Sequence, residues 1–240
     1  MKLLAVDTST RAASVAVTRG EQVLAELRDD SGDHSDRIIA VIDETLAAAS
    51  LRLADLDAIA VGAGPGSFTG LRIGMATVKG LAFAADKPLW AVSSLAAVAS
   101  RVQPPAGIDR IAVVADARRK EVFAGVFDAR TLEPVGDERV LRPAELGAVL
   151  GELGCHAETT LLVGEGLALY PDVAGDHPIA AGALPYPTAV GVARVARAGS
   201  RDDVRSLATP VYIRPSEAEI RFPDGNPGGT FAPQSKKSPR

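Results

Sequence analysis

From Ala58 to Gly74 the chain reads Ala-Ile-Ala-Val-Gly-Ala-Gly-Pro-Gly-Ser-Phe-Thr-Gly-Leu-Arg-Ile-Gly. An apolar run breaks into a glycine-rich turn and re-emerges with helical spacing. Ile59 to Val61 have the β-branched, uncharged character of a strand buried on both faces, and Gly62, Gly64, Pro65 and Gly66 supply a turn that bulky side chains would obstruct. Such a corner, at the carboxyl end of a buried strand, is where α/β proteins often hold ligands, because helix-start N–H groups can face an anion. The spacing fits neither common nucleotide motif, however. G-x-G-x-x-G needs glycine where Ser67 or Thr69 stands, and no Gly-Lys-Ser/Thr follows. The elbow motif G-x-S-x-G around Ser67 fails as well, since it needs glycine where Pro65 stands. Gly62, Gly64, Pro65, Gly66, Gly70 and Gly74 are therefore read as structural, with Ser67 or Thr69 capping the helix.

Upstream, Leu3 to Asp7 reads as a buried strand ending in a carboxylate, followed by strands at Ala13 to Thr18 and Gln22 to Arg28, a three-stranded meander. Ser35 is placed as the cap of a helix bearing Ile38, Ile39, Val41, Ile42 and Leu46 on more than one face. Downstream, the helix from about Thr69 to Ala84 carries Gly74 and Gly80 internally, each costing about 1 kcal/mol relative to Ala. Ala76, Gly80 and Ala84 form one smooth face, while Leu71, Met75, Val78 and Ala82 form a second stripe. A strand at Pro88 to Val92 and a helix started by Ser93 or Ser94 follow, then a proline linker from Gln103 to Gly107. Beyond it the rhythm restarts, because aligning Asp116 with Asp7 superposes strand, turn and strand. The pattern predicts two lobes, 1–103 and a thinner 108–222, and a disordered tail over 223–240. Within the second lobe, strands are expected at 135–141 and 161–164, helices at 143–153 and 190–198, and a last strand at 209–214.

The net charge of −4 argues against a broad nucleic-acid footprint. The single Cys155 excludes an internal disulfide, and His34, His156 and His177 lack metal-ligand spacing. No uninterrupted apolar run is long enough to span a bilayer and the first residues turn polar early, so a cytoplasmic location is expected, with no membrane association.

Two β-β-β-α-β-α halves, each opening with a strand that ends in Asp, resemble the actin-like, sugar-kinase and heat-shock ATPase superfamily (ASKHA, with ribonuclease H-like halves). Within it the chain resembles the TsaB family, also called YeaZ or glycoprotease-like. The residues that carry this are Ala5 to Ser9, His34-Ser35, Gly64 to Gly74, Asp116 to Val122 and Pro210 to Arg214, spread over roughly residues 2 to 219. The resemblance implies a non-catalytic subunit that pairs with a larger paralogue, the TsaD transferase, joins the small ATPase TsaE, and serves threonylcarbamoyl modification of adenosine in tRNA. It implies a heterodimer through the first two helices, a homodimer when alone, tRNA contact only through the complex, and no cofactor of its own, with ATP and metal on partner subunits. The paralogue's His-x-x-x-His metal pair maps to His34 and Ile38, so its second ligand is missing here. Ile38, Ile42, Thr45, Leu46 and Ala49, with Met75, Val78, Lys79 and Ala82, are the expected partner interface. Asp7, Thr8, Ser9, Asp116 and Arg118 occupy the places where the superfamily holds nucleotide and phosphate. Against that stands a turn-forming role for a strand-end Asp, which bonds its own backbone. A stand-alone ATP-dependent enzyme using Asp7 and Asp116 is the rival reading, and a peptidase a third.

Overall fold

A computed structural model describes residues 1–32 and 34–214, with only the backbone of His34. The expected tail over 223–240 lies outside the described residues.

Two sheets, built on one plan, form the frame. The first contains β1 (Lys2–Asp7), β2 (Ala13–Arg19), β3 (Gln22–Asp29), β4 (Ala58–Gly62) and β5 (Leu89–Val92) in the order β3-β2-β1-β4-β5. Its helices α1 (His34–Ala48), α2 (Phe68–Ala84) and α3 (Ser94–Ala99) alternate with the later strands. The second contains β6 (Arg110–Asp116), β7 (Val122–Asp128), β8 (Arg139–Leu141) and β9 (Thr160–Val163) in the order β8-β7-β6-β9. In each half the first strand pairs antiparallel with the second and parallel with a later one, and five residues separate Asp7 from Ala13 and Asp116 from Val122. This is the duplicated actin-like plan, with four strands in the second half among the described residues. Its helices are the short α4 (Leu146–Glu152), after a 3-10 turn at Pro143–Glu145, and the single turn α5 (Gly166–Leu169).

The two faces of the first sheet differ in side-chain size, and that difference sorts the helices. Leu4, Val6, Val15, Val17, Ile59 and Val61 point to the face covered by α1 and α2. Leu3, Ala5, Ala16, Ala58 and Ala60 point to the other, where α6 (Ala189–Ala198) lies close through Ala189, Val192, Ala193 and Ala196. Alternation along each strand separates a bulky core from a shallow one. A methyl group on Gly191 of α6 would strike the Ala97 carbonyl of α3, so glycine permits the approach of these two helices.

The two expected lobes, 1–103 and 108–222, are joined by this packing. Helix α6 returns to the first sheet, and the segment after it stays there: Trp90 Nε1 donates to the Arg201 carbonyl at 3.0 Å, Val204 N to the Leu89 carbonyl at 2.9 Å, and Val211 N to the Ala63 carbonyl at 2.7 Å. Residues 209–214 do not pair as a strand and run across the lobes instead, with Arg214 Nη1 donating to the Ala117 carbonyl at 2.7 Å. Helix α1 begins one residue before Ser35, which sits in its first turn rather than at the cap. Capping is as expected elsewhere: the Ser67 and Ser93 hydroxyls accept from Gly70 N and Ala96 N.

Candidate functional site

The glycine-rich corner closes on the chain's own backbone. Ser9 offers its carbonyl to Ser67 N at 2.7 Å, and Thr8 Oγ1 donates to the Gly70 carbonyl at 2.8 Å. A Cβ built on Gly66 would fall on the Ser9 carbonyl, one on Gly74 on Thr8 Oγ1, and one on Gly62 on Asp7 Oδ2. Gly64, at φ +112°, would meet Leu71 and the Val211 carbonyl at 2.9 Å, and its peptide bond to Pro65 is cis. The loop after β1 is thus packed directly against the turn and the first turns of α2. These glycines serve backbone approach.

The five expected nucleotide residues separate into two groups. Asp7 is 1% exposed, and its Oδ1 accepts from Ser9 N at 2.9 Å and Ser9 Oγ at 2.6 Å while Oδ2 accepts from Ser94 Oγ at 2.8 Å. Thr8 and Ser9 are buried with it. Asp116 repeats the turn in the second half, accepting Arg118 N at 2.8 Å, and it pairs with the Arg118 guanidinium at 3.1 Å. Asp116 and Arg118 line an open cleft, whereas Asp7 and Thr8 face inward. Ser14, another inward hydroxyl, accepts from Ala189 N at the start of α6.

That cleft, about 1150 Å³, runs between the halves. Ser9 to Arg11, Arg28 and the 65–73 stretch form one wall; 115–119, Glu165 and Tyr186 form the other, with Val211 to Arg214 along it. Arg28 stacks over the Tyr186 ring at 4.0 Å and pairs with Asp30 at 2.7 Å. Arg72 lies over the Phe68 ring at 3.8 Å and donates to the Tyr212 hydroxyl at 2.9 Å. Burial, and then the nearby Asp116 charge, push the Glu165 carboxyl above its ordinary range. Arg118, Arg119 and Lys120 all take left-handed backbone conformations, at φ 62°, 53° and 63°. The run of three was not visible in the sequence, which has no glycine there.

The expected interface residues lie mostly in the interior. Ile38, Ile42, Thr45, Leu46, Met75, Val78 and Ala82 are buried beneath α1 and α2, with Ile42 at 1% exposure. Ala49 is half-buried, and Lys79 Nζ is turned inward onto the Ala208 carbonyl at 2.9 Å. The reason is the sheet, whose bulky face requires these side chains as its second layer. What the two helices show to solvent is a mixed face: Ile39, 58% exposed, and Ala47 on α1 with the exposed Asp43 between them, and Ala76, Gly80 and Phe83, 56% exposed, on α2. A Cβ on Gly80 would meet nothing within 4 Å.

Among the described residues no three potential metal ligands converge, and no helix is long and apolar enough to cross a membrane.

The chain thus combines the duplicated actin-like plan with a strand-end carboxylate, Asp7, that is bonded inward. The family model for TsaD, tRNA N6-adenosine threonylcarbamoyltransferase, matches residues 28–181. The chain is 30% identical to the tRNA threonylcarbamoyladenosine biosynthesis protein TsaB of Escherichia coli over 231 residues, 93% of this chain and 99% of that one. It is 44% identical to the protein of the same name in Haemophilus influenzae over 125 residues, spanning about half of each, 51% and 52%. The solved YeaZ of Pseudomonas aeruginosa superposes with a TM-score of 0.75 at 32% identity, covering 88% of this chain and 99% of that one. The chain belongs to the TsaB, or YeaZ, family.

Proposed function

We propose that this chain is a non-catalytic dimerisation and scaffold subunit in threonylcarbamoyladenosine biosynthesis on tRNA, and that it binds a TsaD-type transferase through the outward face of α1 and α2. The observation that carries the reading is the set of exposed apolar residues on two adjacent helices, the large Ile39 and Phe83 beside the small Ala47, Ala76 and Gly80. Small side chains let a second pair of helices approach closely, and an exposed apolar stripe is most stable when covered. The match of the transferase family model to this chain supports a partner of the same fold, so that equivalent helices pair about a near-twofold axis. The same face serves a homodimer when the transferase is absent. ATP, metal and the TsaE-type ATPase belong to the partner side of this scheme.

Against a stand-alone ATP-dependent enzyme stand the inward bonds of Asp7, Thr8 and Ser9. Three hydrogen bonds hold the Asp7 carboxylate inward, so turning it toward a magnesium-bound water would break its turn. Depleting the chain from cells that make it removes threonylcarbamoyladenosine from tRNA hydrolysates read by mass spectrometry, and re-expression restores it. An unchanged nucleoside level on depletion contradicts the proposal.

A further inference from the structure

We infer that the cleft between the halves binds the phosphodiester backbone of a single-stranded RNA segment, an interaction separate from the helix face used for the partner. Its choice of RNA rests on the function proposed above; its cation geometry does not. Among the described residues six arginines line the cleft, Arg11, Arg28, Arg72, Arg118, Arg119 and Arg214, against three carboxylates, Asp30, Asp116 and Glu165, and no lysine. A local cationic excess on a chain of net charge −4 is a concentration of charge in one concavity, where field lines focus. Arginine rather than lysine suits phosphate oxygens, because the planar fork donates two parallel bonds.

Three of the arginines already have carboxylate partners, Arg28 with Asp30, Arg118 with Asp116, and Arg214 with Glu121 beside the cleft. Arg118 nevertheless leaves its guanidinium mostly in solvent, with 78% side-chain exposure, and Arg72 is held by a neutral hydroxyl, so its charge is not cancelled. Phe68, Tyr186 and Tyr212 interleave with these cations, and Phe68 and Tyr212 stack with ring centroids 4.8 Å apart. Aromatic and guanidinium planes along a positive groove are the chemistry that holds unpaired bases and their backbone. At about 1150 Å³ the cleft exceeds the usual range for a compact small molecule, which favours an extended chain. An acidic peptide satisfies the charges but not the ring planes.

The test uses the full chain, alone and in complex with its transferase partner, and a fluorescein-labelled RNA stem–loop followed by anisotropy across a salt series. Arg118→Ala with Arg119→Ala is one variant, and Arg11→Glu on the opposite wall is the second; these side chains are exposed, and thermal melts confirm folding. Arg130→Ala, outside the cleft, is the control. Each cleft variant weakens RNA binding about tenfold or more, and the double variant lowers the log–log salt slope by about two, one per lost phosphate contact. The control changes neither. Unaltered affinity and slope in both cleft variants overturn the inference, as does equal competition by polyglutamate, which makes the cleft a peptide groove, or by ATP at matched phosphate, which makes it a nucleotide site. Because partner co-purification reads the helix face and anisotropy reads the cleft, either reading can fail while the other stands.

Discussion

Asp7 and Asp116 end the first strands of the two halves and make the same turn, each carboxylate accepting the amide two residues further on, Ser9 N at 2.9 Å and Arg118 N at 2.8 Å. They differ in what else they hold. Asp7 is buried and also ties Ser9 and Ser94, while Asp116 faces the cleft with Arg118. Removing a buried acceptor leaves its donors unsatisfied, at about 1–3 kcal/mol for each. Asp7→Ala therefore lowers the unfolding free energy by about 2–4 kcal/mol and Asp116→Ala by about 1 kcal/mol or less, measured by urea titration. Equal losses would show that the first turn is not the interior clasp described here.

Gly74 and Gly80 lie six residues apart in one helix and respond oppositely to the same change. A methyl at Gly74 collides with Thr8, and at Gly80 it enters open space. Gly80→Ala raises stability by about 0.5–1 kcal/mol through helix propensity alone. Gly74→Ala destabilises the protein, because the strand-to-helix corner must open to accept the methyl. Thermal denaturation of the two variants side by side checks the signs, and a stabilised Gly74→Ala would contradict the close packing.

Ile39 and Ile42, both on α1, make the same comparison for burial. Truncating the buried Ile42 to Ala costs about 2–5 kcal/mol, the range for core aliphatics, whereas Ile39→Ala stays within about 0.5 kcal/mol of the parent. Charge at Ile42 or Val78 would unfold the chain, so such variants cannot report on partner binding.

Glu138 gives a pH dependence. Its carboxylate accepts from the Ser93 hydroxyl, the cap of α3, and burial raises its pKa above the ordinary glutamate value more than this bond lowers it. The folded state thus binds a proton more tightly than the unfolded one, and this contribution to stability, full below the ordinary glutamate range, is lost as pH rises through the raised value. Glu138→Gln removes that fall. Denaturation midpoints of parent and variant from acid to neutral pH should converge at low pH and separate in favour of the variant as pH rises; the opposite trend would contradict the assigned direction.

The sheets, the duplication and the glycine corner were legible because each has a local signature: β-branched runs, a strand ending in Asp at matched places, and glycines where no Cβ fits. The outward stripe was not. Ile38 and Ile39 are neighbours of identical chemistry, one buried and the other open, and only the position of the sheet separates them. Nor was the return of α6 legible, since alanine-rich faces such as Ala58 and Ala60 say that something packs closely without saying which helix. The charged cleft likewise assembles arginines from Arg11 to Arg214, far apart in sequence.

The central claim is that the outward face of α1 and α2 is the partner-binding surface. Isothermal titration of the purified chain into its purified transferase paralogue tests it most directly, with the parent compared to Ile39→Asp combined with Gly80→Arg. Both positions are open to solvent in the isolated chain, so circular dichroism and melting temperature remain close to those of the parent. The account predicts that affinity falls at least about a hundredfold, equivalent to ~2.7 kcal/mol. Binding of unchanged affinity by a folded double variant would place the interface elsewhere.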